Sequence, residues 1–299
     1  MDKFILILLA ICLGYGFRRF KVFPKDSATT LNLFVIYISL PAMILYQIPK
    51  LEFNKELLIP SLMPYIAMFI SSIVILLLAN FFKFSKEIKG CLLLVGVMGN
   101  TSFLGIPIIN AYYGAKYLPY VIVYDQVGSF LYLATFGTFI VSIYSGNSEV
   151  NAKMIIKKVF TFPPFIALIL AFLLLGRHFP PFILSILETL GATIVPLALV
   201  AVGLQLQLKL PSHEVKPLSL ALIVKLIISP CIALGAVYLF SWHGTIADVS
   251  ILEAGMGPMI TAGALASMAN LAPRLTAAIV GYGIVFGFFT TAVLYHIIS

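Results

Sequence analysis

Apolar residues run along this chain in long stretches set apart by short polar ones. The stretches fall at roughly 4–17, 28–48, 57–82, 88–113, 118–144, 159–176, 181–206, 217–240, 247–271 and 275–298. Most approach the ~20 residues that a helix needs to cross a bilayer. They are continuous and do not alternate every second residue, which favours helices over the strands of a barrel. The pattern predicts an all-α polytopic membrane protein of ten transmembrane helices. The first stretch has only Asp2 and Lys3 ahead of it and no A-x-A site behind it, so it reads as a short first span and not as a cleaved signal.

Two stretches are interrupted. Span 4 carries Gly99-Asn100-Thr101-Ser102-Phe103-Leu104-Gly105-Ile106-Pro107, and span 9 carries Glu253-Ala254-Gly255-Met256-Gly257-Pro258. Glycine is a weak helix former, and proline has no N–H and crowds the preceding turn. Backbone groups therefore come free at both places, and lipid cannot satisfy them. Broken spans in corresponding positions of two chain halves point to the binding site of a transporter.

Charge supports the division into halves. Of the 19 Lys and Arg residues, thirteen fall in loops on one side, five on the other, and Lys225 lies inside a span. The positive-inside rule then places both termini outside. The polar connection Ser145 to Lys158 separates 1–144 from 159–299, five spans each, so the second set enters from the opposite face. At an offset of 158, Met98-Gly99 matches Met256-Gly257, Gly105 matches Gly263, and Tyr124 matches Tyr282. Pro41 in span 2 and Pro196 in span 7 form a second pair. The expected architecture is two inverted five-helix repeats joined by a short cytoplasmic linker at 145–158, with spans 4 and 9 as broken crossover helices.

Composition agrees: 61% of residues are hydrophobic, 10% are charged, and the mean hydropathy is +1.09. The net charge of +8 sits in loops between spans, so it carries orientation information and no expectation of nucleic acid. Cys12, Cys91 and Cys231 stand apart without metal-type spacing, so neither disulfides, a metal nor a cofactor is expected.

Each break is expected to present the N-terminus of its second half-helix, with N–H groups of Ile106 to Ile109 in span 4 and Met259 to Ala262 in span 9. Such ends suit a carboxylate. Asn100 and Thr101 add polar groups at the first break, and Thr261 at the second. The bland alternative is that these groups only satisfy a kinked backbone. Asp125, Glu188, Lys225 and Glu253 are the ionisable residues within spans, where each needs a partner, a cavity or a neutral state. Glu188 and Asp125 are two turns from a span end. Lys225 and Glu253 are deeper and form the more suggestive pair, either functional or a buried salt bridge joining spans 8 and 9. Tyr124-Asp125 also occurs in intramembrane aspartyl proteases, but the Gly-x-Gly-Asp partner motif is missing, as are serine-hydrolase, zinc-protease and phosphate-loop motifs. An enzyme is not expected.

Asn100-Thr101 followed by Gly105-Ile106-Pro107 and Tyr113-Gly114 resembles the fourth span of the auxin efflux carrier family, which includes plant auxin exporters and bacterial permeases for small organic acids. Gly14-Tyr15-Gly16, Phe23-Pro24, Leu31-Asn32 and Ser39-Leu40-Pro41 are similar to its first two spans. Pro196-Leu197-Ala198-Leu199 with Gly203-Leu204 is similar to span 7 of the bacterial form, and Lys225-Leu226 with Pro230 to span 8. The resemblance implies that spans 4 and 9 cross at their breaks and that a substrate carboxylate sits near Asn100. It also implies that spans 1, 2, 6 and 7 form a scaffold that dimerises while spans 3–5 and 8–10 form the transport unit. The chain lacks the long cytoplasmic loop of the plant exporters, and its Gly257-Pro258 is placed differently from the plant prolines.

The resulting expectation is a cell-membrane (inner or plasma membrane) secondary transporter that moves a small organic anion by alternating access. Asn100, Thr101, Gly105, Ile106, Pro107, Gly257, Pro258, Thr261 and Lys225 would bind the substrate. Asp125 and Glu253 would couple a proton or sodium ion. A sodium symporter of the bile-acid type and a non-transporting membrane sensor are the alternatives.

Overall fold

The computed structural model describes residues 2–24, 26–51, 55–145, 152–177, 179–206 and 214–299. In chain order the α-helices are α1 (Asp2–Arg19), α2 (Ser27–Phe34), α3 (Leu40–Gln47), α4 (Leu58–Phe81), α5 (Lys86–Val95), α6 (Ile106–Tyr112), α7 (Leu118–Val123) and α8 (Thr138–Ser145). They continue as α9 (Ala152–Phe160), α10 (Pro163–Leu173), α11 (Pro181–Ala192), α12 (Ile194–Gln205), α13 (Val215–Ile223), α14 (Ser229–Leu239), α15 (Thr245–Ala254), α16 (Ile260–Met268) and α17 (Pro273–Ile298). No strand occurs among the described residues. Among the described residues, six helical segments are long and apolar enough to cross a membrane: Ser27–Lys50, Lys55–Phe81, Ala115–Ser145, Pro181–Gln205, Val215–Leu239 and Pro273–Ile298. The chain is a multi-pass, all-helical membrane protein.

Several of these segments contain π-helical turns, and the prolines explain three of them. Val35–Ser39 ends two residues before Pro41, Thr101–Gly105 two before Pro107, and Val224–Ile228 two before Pro230. Proline has no N–H for the carbonyl four residues back and its ring crowds that carbonyl, so the preceding turn widens to the five-residue register. The Leu40 N–H accordingly reaches the Val35 carbonyl, and the Ser229 N–H the Val224 carbonyl. Two further π turns, Tyr124–Phe130 and Leu133–Gly137, lie in the segment that follows α7.

By contacts the chain divides into two units that do not coincide with its halves. The first comprises residues 1–55, 102–122 and 157–206; the second comprises 56–101, 123–156 and 207–299. In the first, α1 packs on α12, and α3 on α10 and α11. Gly14 and Gly203 let α1 and α12 approach at backbone distance: a Cβ on Gly203 would lie 2.2 Å from the Ile11 carbonyl oxygen. Such contact between small residues is how helices associate where lipid is as apolar as the side chains. The two proline-marked kinks meet here, since Ser39 and Thr193, just upstream of Pro41 and Pro196, share a hydrogen bond of 2.7 Å. In the second unit, α4 packs on α14, α15 and the π turn Tyr124–Phe130, while α5 packs on α8, α16 and α17. Leu92, Leu93, Leu94 and Val95 of α5 are fully buried among Ile75, Ala221, Ala262, Leu275 and Ile279.

The linker expected at 145–158 falls only partly on described residues. Residues 146–151 lie outside the described ones, and 152–160 form α9, whose Lys153, Ile156, Lys157 and Phe160 are exposed.

Candidate functional site

The first break lies farther upstream than its proline. α5 ends at Val95, residues 96–100 are non-helical, and the helix resumes at Thr101 as a π turn that leads directly into α6. Gly105 has helical dihedrals (φ −58°, ψ −54°), so Pro107 sits inside a continuing helix. The N–H groups of Ile106 to Ile109 are therefore not the open helix end that the sequence leads one to expect, because the proline widens a turn where it was expected to start one. The second break runs from Gly255 to Met259, between α15 and α16.

The two breaks satisfy each other. Gly99 and Pro258 form an antiparallel bridge. The Asn100 N–H donates to the Gly257 carbonyl (2.8 Å), and the Met259 N–H donates to the Met98 carbonyl (2.9 Å). Backbone groups released by the breaks thus find partners in one another, as a water-poor interior requires. This pairing also occupies the Met259 N–H, so the free donors of the second half-helix begin at Ile260. The approach depends on glycine at two places. A Cβ on Gly99 would lie 3.2 Å from Lys225 Cε and Nζ, and one on Gly257 would lie 2.9 Å from the Gly283 carbonyl oxygen in α17.

Polar side chains gather around the pairing, all within the second unit. Asn100 and Asp125 are 2% exposed, Lys225 is 2% exposed and Glu253 is fully buried. Asp125 and Lys225 both project from π turns, which realign the side chains relative to a regular helix. Thr101 Oγ1 donates to Asp125 Oδ1, and Gln126 Nε2 donates to Asp125 Oδ2 at 2.6 Å. Lys225 Nζ donates to the Ala254 carbonyl at 2.7 Å, and Ser229 Oγ donates to the same oxygen at 2.9 Å. That carbonyl is the last of α15, an end that carries partial negative charge and lacks a helical donor. Glu253 lies within electrostatic reach of Asp125 and Lys225, while neither of its carboxylate oxygens has a hydrogen-bond partner among the described residues.

The expected site residues divide. Asn100, Thr101, Asp125, Lys225, Glu253, Gly257 and Pro258 are brought together. Thr261 is exposed in the first turn of α16 and stays out of the hydrogen-bonded cluster. Gly105, Ile106 and Pro107 belong to the first unit. Glu188 is exposed on α11. Gln126, Ser229 and Gly283 escaped sequence reasoning. Ser229 follows Lys225 by four residues and so shares its helix face; Gln126 is a second buried polar group beside Asp125. Those were the available signals.

Two known proteins are similar to this chain over most of its length. The chain is 30% identical over 267 residues to an uncharacterised transporter of Methanocaldococcus jannaschii, covering 86% of this chain and 85% of that one. It is 27% identical over 263 residues to an uncharacterised transporter of Methanothermobacter thermautotrophicus, covering 87% and 85%. Residues 1–295 match the membrane transport protein family, and with that match over nearly its whole length the chain belongs to this family, that of the auxin efflux carriers.

Proposed function

We propose that the protein is a secondary transporter for a small organic anion, which binds beside the paired breaks and is exposed alternately to the two sides of the membrane. The observation that carries this reading is the reciprocal pairing of Gly99-Asn100 with Gly257-Pro258, set against a buried ammonium. A pair of interrupted spans places polar backbone at membrane depth, where it serves a substrate. The family consists of transporters, so the assignment is to transport and not to catalysis.

Each group has a role. Asn100 supplies side-chain hydrogen bonds to the carboxylate, Thr101 holds Asp125, and Gly257-Pro258 shapes the wall. Lys225 supplies the positive charge that a dehydrated anion needs. Asp125 and Glu253 exceed the single ammonium by one carboxyl group. The excess calls for a coupled cation, which we assign to a proton. In proteoliposomes, uptake of small mono- and dicarboxylates is expected, driven by an imposed proton gradient and persisting when choline replaces sodium. Asn100→Ala should weaken substrate binding by about 1–3 kcal/mol, the range for a hydrogen bond to a charged group, without unfolding the protein. Asp125→Asn or Glu253→Gln should flatten the dependence of flux on the proton gradient. No carboxylate flux above that of empty liposomes would refute the transport reading, and flux that requires sodium would refute the proton assignment.

Ten spans are counted when α1, α10 and each interrupted pair are taken as one crossing apiece, which makes two inverted repeats with both termini outside. Thr245, the first residue of α15, then faces outward, whereas Ser148 and Ser212, which lie outside the described residues, face the cytoplasm. Cysteines introduced at Thr245 and Ser148 should react with an impermeant maleimide from opposite faces of the cell membrane. Labelling of both from the same face would overturn the topology.

A further inference from the structure

The position of Lys225 is that of a bound cation. Its Nζ lies on the terminal carbonyl of α15, an oxygen shared with Ser229 Oγ. The fully buried Glu253, with both carboxylate oxygens unpartnered among the described residues, is within electrostatic reach of Lys225 without forming an ion pair with it, and Asp125 is within electrostatic reach of Glu253. Backbone carbonyl, hydroxyl and carboxylate are the oxygens that a hard monovalent cation takes, and in broken-helix transporters such ions sit at the C-terminal ends of half-helices. Gly99 completes the enclosure, because its missing side chain leaves the space in which Lys225 Cε and Nζ lie.

We infer that the Lys225 ammonium is a tethered cation standing in a latent sodium site made by the Ala254 carbonyl and Ser229, its charge compensated at longer range by Glu253. Lys225 thereby makes the transporter independent of sodium, and the site becomes a sodium site once the side chain is removed. The inference deepens the role given to Lys225 in the transport reading, but its test needs no substrate. A free sodium ion would enter from solution and be released again on each cycle; the tethered ammonium cannot leave, so the positive charge at the crossing is permanent.

The test is the thermal stability of the full-length purified protein in detergent, compared in NaCl, KCl and choline chloride at equal ionic strength. The unaltered protein should melt at the same temperature in all three salts. Lys225→Ala should melt lower in choline and gain several degrees, saturably, in NaCl, since an ion that binds only the folded state raises its apparent stability. Lys225→Ser, which adds a hydroxyl oxygen in the same space, should show the same gain. Lys225→Met fills the space and should show none. The double variant Lys225→Ala with Glu253→Gln should lose the gain. The inference is overturned if neither Lys225→Ala nor Lys225→Ser responds to sodium or folds in it. It is equally overturned if the unaltered protein gains as much, or if the gain survives Glu253→Gln. A sodium response without carboxylate flux would refute the substrate reading alone; flux without a sodium response in the variants would refute the latent site alone.

Discussion

Lys225→Met should abolish binding of the organic anion and also lower the stability of the protein. Lys225 is 2% exposed and its ammonium offsets the buried Glu253 carboxyl group, so its removal leaves buried negative charge both without compensation and near the place where an anion must settle. Removing one partner of a buried charge pair costs roughly 3–5 kcal/mol. We expect the low end, because the hydrogen bond of Lys225 Nζ goes to the Ala254 carbonyl. Lys225→Arg keeps the charge but must fit a larger head against Gly99, so part of the binding should remain. The double variant Lys225→Met with Glu253→Gln separates the two effects. With both charges removed, most of the stability should return. Anion binding, read by calorimetry or by ligand-dependent melting, should not. If the double variant binds the anion as the unaltered protein does, Lys225 serves only to neutralise Glu253 and the site has lost its source of positive charge.

Gly283→Ala should impair transport although Gly283 touches no ionisable group of the site. A Cβ at this position would lie 2.3 Å from Pro258 Cδ and 2.5 Å from Pro258 Cγ. The proline ring is fixed to its own backbone and cannot swing aside, so the second break must shift as a whole. The shift would strain the Gly99–Pro258 bridge and the hydrogen bonds from Asn100 to Gly257 and from Met259 to Met98. Overpacking of this kind costs about 1–3 kcal/mol, and Gly283→Val should cost more. A Cβ on Gly235, in α14, would meet nothing within 4 Å, so Gly235→Ala is the matched control and should leave flux and melting temperature as they are. Normal flux and melting in Gly283→Ala would show that the crossing tolerates displacement and does not define the site.

The ionisable members of the cluster were legible because each is an anomaly of its own span: Lys225, Glu253 and Asp125 stand in apolar runs where charge is costly. The breaks were legible for a similar reason, since glycine and proline act on their own turn. Where the helix resumes was not. Pro107 suggests a half-helix that begins beside it, whereas the helix resumes at Thr101 and takes up the proline through a π turn. A proline inside a membrane helix permits either outcome, and packing chooses between them. The part played by Gly283 was hidden as well, because a glycine in an apolar span looks the same whether or not another backbone lies against it.

Sequence alone determined that this is a multi-pass helical membrane protein, that two of its spans are interrupted near Gly99 and Gly257, and that Asp125, Lys225 and Glu253 are charges set in apolar runs. These follow from hydropathy, side-chain chemistry and backbone restrictions that act within a few residues. Tertiary structure decided that the two breaks complete each other's hydrogen bonds, that Lys225 rests on the end of α15, and that Glu253 keeps both oxygens unpartnered among the described residues. It also decided that Thr261 stands outside the cluster. These depend on which groups, distant along the chain, share a buried volume, and local patterns carry no record of that because many helix arrangements satisfy the same apolar spans equally well.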